Sequence, residues 1–409
     1  MQLRNSPDPS RPAVGATPGH VLELVRSRPA WTRQQLLTAT GMSRPTLQDR
    51  LAPLFASGLI YSAGFEASEG GRPAELIRFD DRHLVILTFD VGHTHARVGV
   101  STVHGQVLRF RDIRLGVTRT PPPTVIGTLI DVAADLTVDT PDERVAGIGI
   151  GLPGPISPLT GLPGPTTILP GWEHLPIFDL LRERWNVPMV AENDARALVL
   201  GEATRHPKST VLGLKWSHGI GAGLVIDDRS LGGDDGAAGD IGHVKLSRGG
   251  PECRCGRRGC LAAYASGHAL LARLAPAGVR DLDHLAELAH AGDRAVRTTL
   301  DSAARQVGTV LAALIALANP RTLVLGGTIG ALPRVVDAVA ARVREVTLSR
   351  SVDSLQVLPS QLGPGAGTAG LVHLVVERVL SAEAVDRSLA AEPGSPHAAI
   401  IRKAVTAEG

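Results

Sequence analysis

The sequence predicts an α/β protein in two unequal parts, a small helix-and-strand unit followed by a much larger unit of alternating strands and helices. Three observations carry this expectation. The chain has 409 residues, 43% of them hydrophobic, which is enough for two or three domains with a core in each. From His20 to Asp80 the pattern is three short helices and then two β-rich runs. From Leu84 onward, Gly-rich strands alternate with helices, as in layered α/β folds. The expected division is a flexible arm over 1–17, a first domain over 18–80, a second over 84–380 and a loose extension over 381–409.

Composition removes several classes. Gly and Pro together are 75 of 409 residues, about 18%, and charged residues are 20%, so collagen-like and disordered chains are excluded. The formal net charge is only +2, so any contact with nucleic acid must be local. Cys253, Cys255 and Cys260 are the only cysteines, and an odd, clustered set is not a disulfide framework. The N-terminus is polar and carries four prolines between Arg4 and Gly19, with no apolar core of a signal peptide. The longest clean apolar stretch, Val307 to Ala318, is too short to span a bilayer. A reduced, cytoplasmic protein without membrane partners is expected.

Val21, Leu24 and Val25 recur at helical spacing in a segment stopped by Pro29. Thr32 and Gln35 form a capping box for a second helix that ends at Gly41. Ser43 can cap a third helix, with Leu47, Leu51 and Leu54 on one face and Arg44, Thr46, Gln48 and Arg50 pointing outward. Pro53 predicts a kink or restart late in that helix. Leu59 to Ala63 and Ala74 to Phe79 read as two strands joined by a tip over Glu66 to Pro73. This is a winged helix-turn-helix, in which the third helix reads DNA. Ser43, Arg44, Thr46, Gln48 and Arg50 can reach phosphates and base edges, and Arg72, beside Gly70 and Gly71, can enter a minor groove or grip the backbone. His20 to Ser57 carries five arginines against Glu23 and Asp49, a surplus of +3. The plainer alternative is a small protein-interaction domain.

His243, Cys253, Cys255 and Cys260 are spaced H-x9-C-x-C-x4-C among glycines. Four such ligands suit a tetrahedral Zn²⁺, and with every position filled by protein the ion would be structural. Three buried thiols beside a core histidine is the alternative.

Leu84 to Phe89 is a strand ending in Asp90-Val91-Gly92-His93-Thr94, a hairpin that can present Asp90 to a metal and its amides to phosphate. Glu192-Asn193-Asp194 runs from a strand into a helix, where a carboxylate stays ionised as a proton-abstracting base requires, although Asp194 could instead merely cap the helix. Ser217-His218-Gly219-Ile220-Gly221 is a Gly-rich turn of the kind that cradles phosphate. Leu325-Gly326-Gly327 is a further strand ending in glycines.

In this order, these segments resemble the ROK family (repressor, ORF, kinase) over about residues 18 to 380. The winged helix in front makes the chain similar to the xylose- and N-acetylglucosamine-type repressor branch. The most specific match is Gly236-Ala237-Ala238-Gly239-Asp240-Ile241-Gly242-His243 running into the cysteines, followed by Gly70-Gly71-Arg72-Pro73, Asn193-Asp194 and the Leu169 to Trp172 turn. The resemblance implies an actin-like, sugar-kinase fold with two α/β lobes around a sugar, usually as dimers or tetramers. It also implies that Asn193, Asp194, Asp240 and His243 contact sugar hydroxyls, so that His243 would bind zinc through one ring nitrogen and sugar through the other. Asp90, Gly92, Thr94, Gly219 and Gly221 would be remnants of the phosphate loops.

Departures from the family pattern bear on function. His218 stands where kinases place a threonine, and its ring should crowd ATP phosphates. Ala262 replaces a glutamate, Ile168 replaces an asparagine, and Asp240 is one methylene shorter than the usual Glu. The resemblance therefore implies a repressor that binds operator DNA as a homodimer or homotetramer and is released by a small carbohydrate, without enzyme activity. An ATP-dependent sugar kinase carrying a DNA-binding domain, with Asp194 as catalytic base, is the alternative. A DNA-binding protein that no longer senses a ligand is the third reading.

Overall fold

The caps written into the first sixty residues set the first elements. In a computed structural model of the chain, which describes residues 17–66, 73–138, 144–164, 169–392 and 394–400, Pro18–Arg26 forms α1 with Thr17 as its N-cap. A two-residue strand, β1 (Trp31–Thr32), leads into α2 (Arg33–Thr40), where Thr32 and Gln35 make both bonds of the capping box and Gly41 closes the helix in the left-handed region. Ser43 caps α3 (Arg44–Ala56). The strands β2 (Ile60–Phe65) and β3 (Glu75–Phe79) pair antiparallel, and β1 adds to β3 as a third strand too short to show periodicity in the sequence. This is a winged helix. The wing tip over 67–72, which includes Gly70, Gly71 and Arg72, lies outside the described residues, as does the arm over 1–16.

Pro53 does not break α3. It sits in the last turn of α3, which runs three residues beyond it to Ala56, so the missing N–H costs one bond at an end that is closing anyway.

The larger unit consists of two five-stranded sheets. The first is built from β4 (Leu84–Val91), β5 (His95–Thr102), β6 (Val107–Arg114), β7 (Arg144–Leu152) and β8 (Met189–Asn193), in the order β6-β5-β4-β7-β8. Between these strands, α4 (Pro122–Thr137) and α5 (Ile177–Arg182) cover one face. After α6 (Asp194–Ala203) comes the second sheet. Its members are β9 (Val211–Trp216), β10 (Ile220–Ile226), β11 (Arg229–Ser230), β12 (Thr322–Gly326) and β13 (Gln356–Pro359), in the order β11-β10-β9-β12-β13. Its helices are α7 (Leu261–Ala265), α8 (Gly267–Leu274), α9 (Leu282–Ala291), α10 (Arg294–Ala318), α11 (Gly327–Gly330), α12 (Pro333–Val346) and α13 (Ser349–Val352). α10 is long and apolar enough to cross a membrane, but half of its apolar window is buried, and residues such as Leu300, Val307 and Leu311 are fully inside the core of this lobe.

Between the sheets lie α6 and α14 (Ala366–Leu380), packed together more closely than any Cβ would allow. A Cβ on Gly201 would strike the Ala366 carbonyl, and one on Gly370 would strike the Ala197 carbonyl. α14 packs on β4 and β7 of the first sheet, while α6 packs on β9 and β10 of the second.

The expectation of a loose extension after Leu380 is corrected. Ser381 caps a further helix, α15 (Ala382–Ala390), which buries Ala382, Ala384, Val385 and Ser388 against α1. Three of these four residues are alanine or serine, so the stripe is too faint to read as periodicity. Two carboxylates cap the pair reciprocally: Glu23 Oε1 accepts from Ala382 N, and Asp386 Oδ1 accepts from Gly19 N, both at 2.8 Å. Arg26 Nη1 donates to Leu380 O at 3.0 Å. Val21, Leu54, Ile77, Leu84, Ile86, Val375 and Val385 belong to one buried cluster, so the winged helix shares a core with the first sheet and α14.

Candidate ligand cleft and metal cluster

The cleft between the sheets is made at the ends of strands. Gly92, His93 and His95 come from the β4–β5 hairpin, Gly154 and its neighbours from the segment after β7, and Asn193, Asp194 and Arg196 from the start of α6. The second sheet supplies Lys215, Ser217, His218, Gly219 and Gly221, and the turn after β11 supplies Gly236 to Asp240 and His243. The cleft encloses about 860 Å³ counting its open mouth, and polar side chains from both sheets converge on it.

Four of the residues expected at a sugar thus line one cleft: Asn193, Asp194, Asp240 and His243. Asn193, not Asp194, is the N-cap of α6, since its Oδ1 accepts from the backbone of Ala195 and Arg196 while its Nδ2 donates to Gly154 O. That leaves Asp194 free of a capping role. Its carboxylate accepts a hydrogen bond from Lys215 Nζ at 2.8 Å. Of the expected phosphate-loop residues, Gly92, Gly219 and Gly221 are on the wall, Thr94 is an exposed tip residue, and Asp90 is half-buried beside Gly151 and the first turn of α14.

The electrostatics follow from burial. Burial pushes the Asp90 carboxyl above its ordinary range, the Lys215 charge opposes that, and Asp194 adds to it. For Lys215, burial works to remove the proton, but the charges of Asp194 and Asp90 outweigh it and hold the ammonium above its ordinary value. His93 and His218 stack with ring centroids 6.1 Å apart. Burial, with the nearby positive groups of His218, Lys215 and Arg254, brings His93 down to about 4 against the pull of Asp194, so its ring is neutral at physiological pH. His218 is lowered too, by burial first and then by His95 and His268.

Two residues that organise this cleft escaped the sequence reading. Arg196 is buried and donates to Glu192 Oε1 at 2.8 Å, to Gly236 O at 2.7 Å and to Ala238 O at 3.0 Å, tying α6 to the turn that leads into the metal segment. Its i,i+4 spacing from Glu192 was a usable signal, because a buried arginine requires a partner. Lys215 gave none, since a lysine in an apolar strand is ordinary at a surface.

His243, Cys253, Cys255 and Cys260 converge. Their ligand atoms lie within 4.8 Å of one another, with His243 Nδ1 3.5 Å from Cys253 Sγ and Cys255 Sγ 3.8 Å from Cys260 Sγ. A tetrahedral ion with arms of about 2.0 to 2.3 Å sets its ligand atoms roughly 3.4 to 3.8 Å apart, so this donor set fits a thiolate-binding metal such as zinc. Nδ1 faces the sulfurs. Nε2 points the other way, 3.9 Å from Asp240 Oδ1.

On the winged helix, Ser43 and Arg44 are exposed and Thr46 and Arg50 are half-buried on α3. Gln48 is exposed but already accepts a hydrogen bond from Arg33 Nη1 at 2.7 Å, and Arg33 in turn pairs with Glu75.

A sequence model of the ROK family matches residues 86–378, most of the chain. The chain belongs to the ROK family. It is 26% identical to a xylose repressor of Bacillus spizizenii over 88% of this chain and 94% of that protein. It is also 28% identical to a glucokinase of Thermotoga maritima, over 72% of this chain and 98% of the glucokinase. The fold matches that of a ROK family transcriptional regulator homologous to the E. coli MLC protein, with a TM-score of 0.76 at 22% identity, covering 91% of this chain and 98% of that one. The two-lobed sugar-kinase-like ROK fold behind an N-terminal helical region is thus shown. The xylose repressor thus matches 88% of the chain and the glucokinase 72% of it.

Proposed function

We propose that the chain is a carbohydrate-responsive transcriptional repressor that binds operator DNA through its winged helix and is released when a sugar enters the cleft. The observation that carries this reading is the single buried core joining the winged helix to α14 and the first sheet of the cleft. A ligand that binds the DNA-incompetent arrangement better shifts the equilibrium toward release, and a shared core gives the two sites one mechanical element to bias.

In this reading Asn193, Asp194, Asp240 and His243 receive the sugar. Ser43, Arg44, Thr46, Gln48, Arg50 and Arg72 face DNA, with a homodimer or homotetramer setting two readers on successive half-sites. His243, Cys253, Cys255 and Cys260 hold a structural Zn²⁺, which would fix the His243 ring so that Nε2 is offered to the ligand. The protein acts in the cytoplasm and is not an enzyme. A sugar kinase is the second reading, favoured by the glucokinase relative and by Asp194 at the start of α6. A coupled ADP-release assay over a sugar panel separates the two, since turnover lost in Asp194→Asn would establish the kinase.

The direct test is an electrophoretic shift with the DNA upstream of the protein's own gene. We expect specific binding with Kd in the range of about 10⁻⁸ to 10⁻¹¹ M, weakened by Arg44→Ala and reversed by one member of a mono- and oligosaccharide panel. No shift with that DNA sinks the repressor reading.

A further inference from the structure

The two sheets place matching hairpins on opposite sides of the cleft. β4 leads into β5 as β9 leads into β10, and in both sheets the first of these strands is central and pairs in parallel with the next. Two residues beyond the last residue of the first strand stands a histidine in each hairpin, His93 after Val91 and His218 after Trp216. One residue before that last residue stands a charged residue, Asp90 in the first hairpin and Lys215 in the second. The histidines meet in a stack.

Lys215 is on the cleft wall, its side chain 20% exposed, and it donates to Asp194, which is 12% exposed. Asp90 is half-buried. Its Oδ2 is pressed against the backbone at Gly367, where a Cβ would collide with it. Asp90 is the residue a phosphate-bound cation would need, and Asp194 is the residue a transferring hydroxyl would need. A protonated lysine hydrogen-bonded to Asp194, whose charge also bears on Asp90, offsets negative charge that each would offer. A divalent cation arriving there meets a like charge fixed in a partly dry site, where repulsion is weakly screened.

We propose that Lys215 is the specificity-determining residue of this cleft: its ammonium fills the place where a nucleotide-borne divalent cation would have to meet Asp90 and Asp194. The cleft then admits a carbohydrate and turns away a metal nucleotide. Asp194 is left as a fixed hydrogen-bond acceptor for the sugar, held by Lys215 instead of poised as a base. The His93–His218 pair narrows the space where the two hairpins would otherwise grip phosphates. This inference rests on reading the chain as a sensor, and it concerns Lys215 where that reading invoked the ring of His218.

The test uses the full chain with its metal cluster loaded, and Mn²⁺ alone as the probe, followed by electron paramagnetic resonance. Wild type is expected to hold no Mn²⁺ that Asp90→Asn removes, with or without a non-hydrolysable ATP analogue. Lys215→Thr should gain a Mn²⁺ site at least about tenfold tighter than any in wild type, since one close like charge is gone. Lys215→Arg should not, and adding Asp90→Asn to Lys215→Thr should abolish the gain. A folded Lys215→Thr with no new site overturns the proposal, as does a gain in Lys215→Arg. If Lys215→Thr does not fold, wild type still decides: Mn²⁺ held through Asp90 in the presence of the analogue overturns it, and none held supports it. Loss of operator binding would instead sink the sensor reading and leave the metal result standing.

Discussion

The two sheets of the large unit share strand order and strand directions, yet they are put to different use. In the first, the third strand β6 is eight residues long and the face beside α14 is covered by the winged helix. In the second, the third strand β11 is two residues long and the chain leaves it for the turn and metal segment that reach back over the cleft. At the hairpins the same position is Asp90 in one sheet and Lys215 in the other, while histidines face each other as near-equals. Sheet order follows from connection rules that are indifferent to ligand, so the chemistry must be read at the loops, where the two halves part company.

The largest expected effect breaks the second lobe alone. Cys255→Ser, or removal of the metal by a chelator, should cost about 3 kcal/mol or more, because structural metal binding is folding free energy. In a domain of this size that is roughly 6 to 12 °C in Tm. Amide exchange should rise from Ile241 through Leu274 while β4 to β7 and α3 keep their protection. An unchanged Tm after metal removal would refute the structural role, and equal loss in both lobes would show that the halves unfold as one.

How much of this was legible beforehand differs between the same two regions. The convergence of His243, Cys253, Cys255 and Cys260 could be read beforehand, because sulfur and imidazole groups within eighteen residues leave little freedom of arrangement. Helices α2 and α3 were equally plain, since the Thr32–Gln35 box and the Ser43 cap are local devices, and local devices survive tertiary packing. Asp90 was singled out but not its packing against the start of α14, which depends on Gly367 almost 280 residues later. Lys215 and Arg196 were missed because their partners come from other elements or from a carboxylate that looked solvated. α15 was missed because alanine and serine make a weak apolar stripe, and its partner α1 lies at the far end of the chain.

An intermediate effect compares the two histidines. His93 takes up its proton near 4 in the folded protein but at the ordinary value of 6.5 when unfolded. Between those values the unfolded chain binds more protons, so the protein loses stability as pH falls through this window and regains it as pH rises. The ring is partly wetted and its neighbours Asp194, His218, Lys215 and Arg254 all contribute, so the loss attributable to it should be on the order of 1 to 2 kcal/mol. His93→Gln should flatten urea stability between pH 6.5 and 4, and His218→Gln should flatten it less. A steeper profile in His93→Gln would mean that the ring is charged in the native state.

The smallest effect tests whether the first lobe is tied to the winged helix by a few polar contacts or only by its apolar core. Glu23 caps α15 and Asp386 caps α1, so each helix starts on a carboxylate of the other. Losing a cap costs about 1 kcal/mol, and the Glu23 carboxylate also completes the positive end of a short helix. Glu23→Ala should therefore raise amide exchange across α15 about fivefold while leaving the metal segment unchanged, because about 1 kcal/mol is a factor of roughly five in a local opening equilibrium. Glu23→Gln keeps an acceptor without the charge and should recover most of that loss. If α15 exchanges at the same rate in all three proteins, the caps are incidental and Val385, buried with Val21 and Leu22, holds the helix down without them.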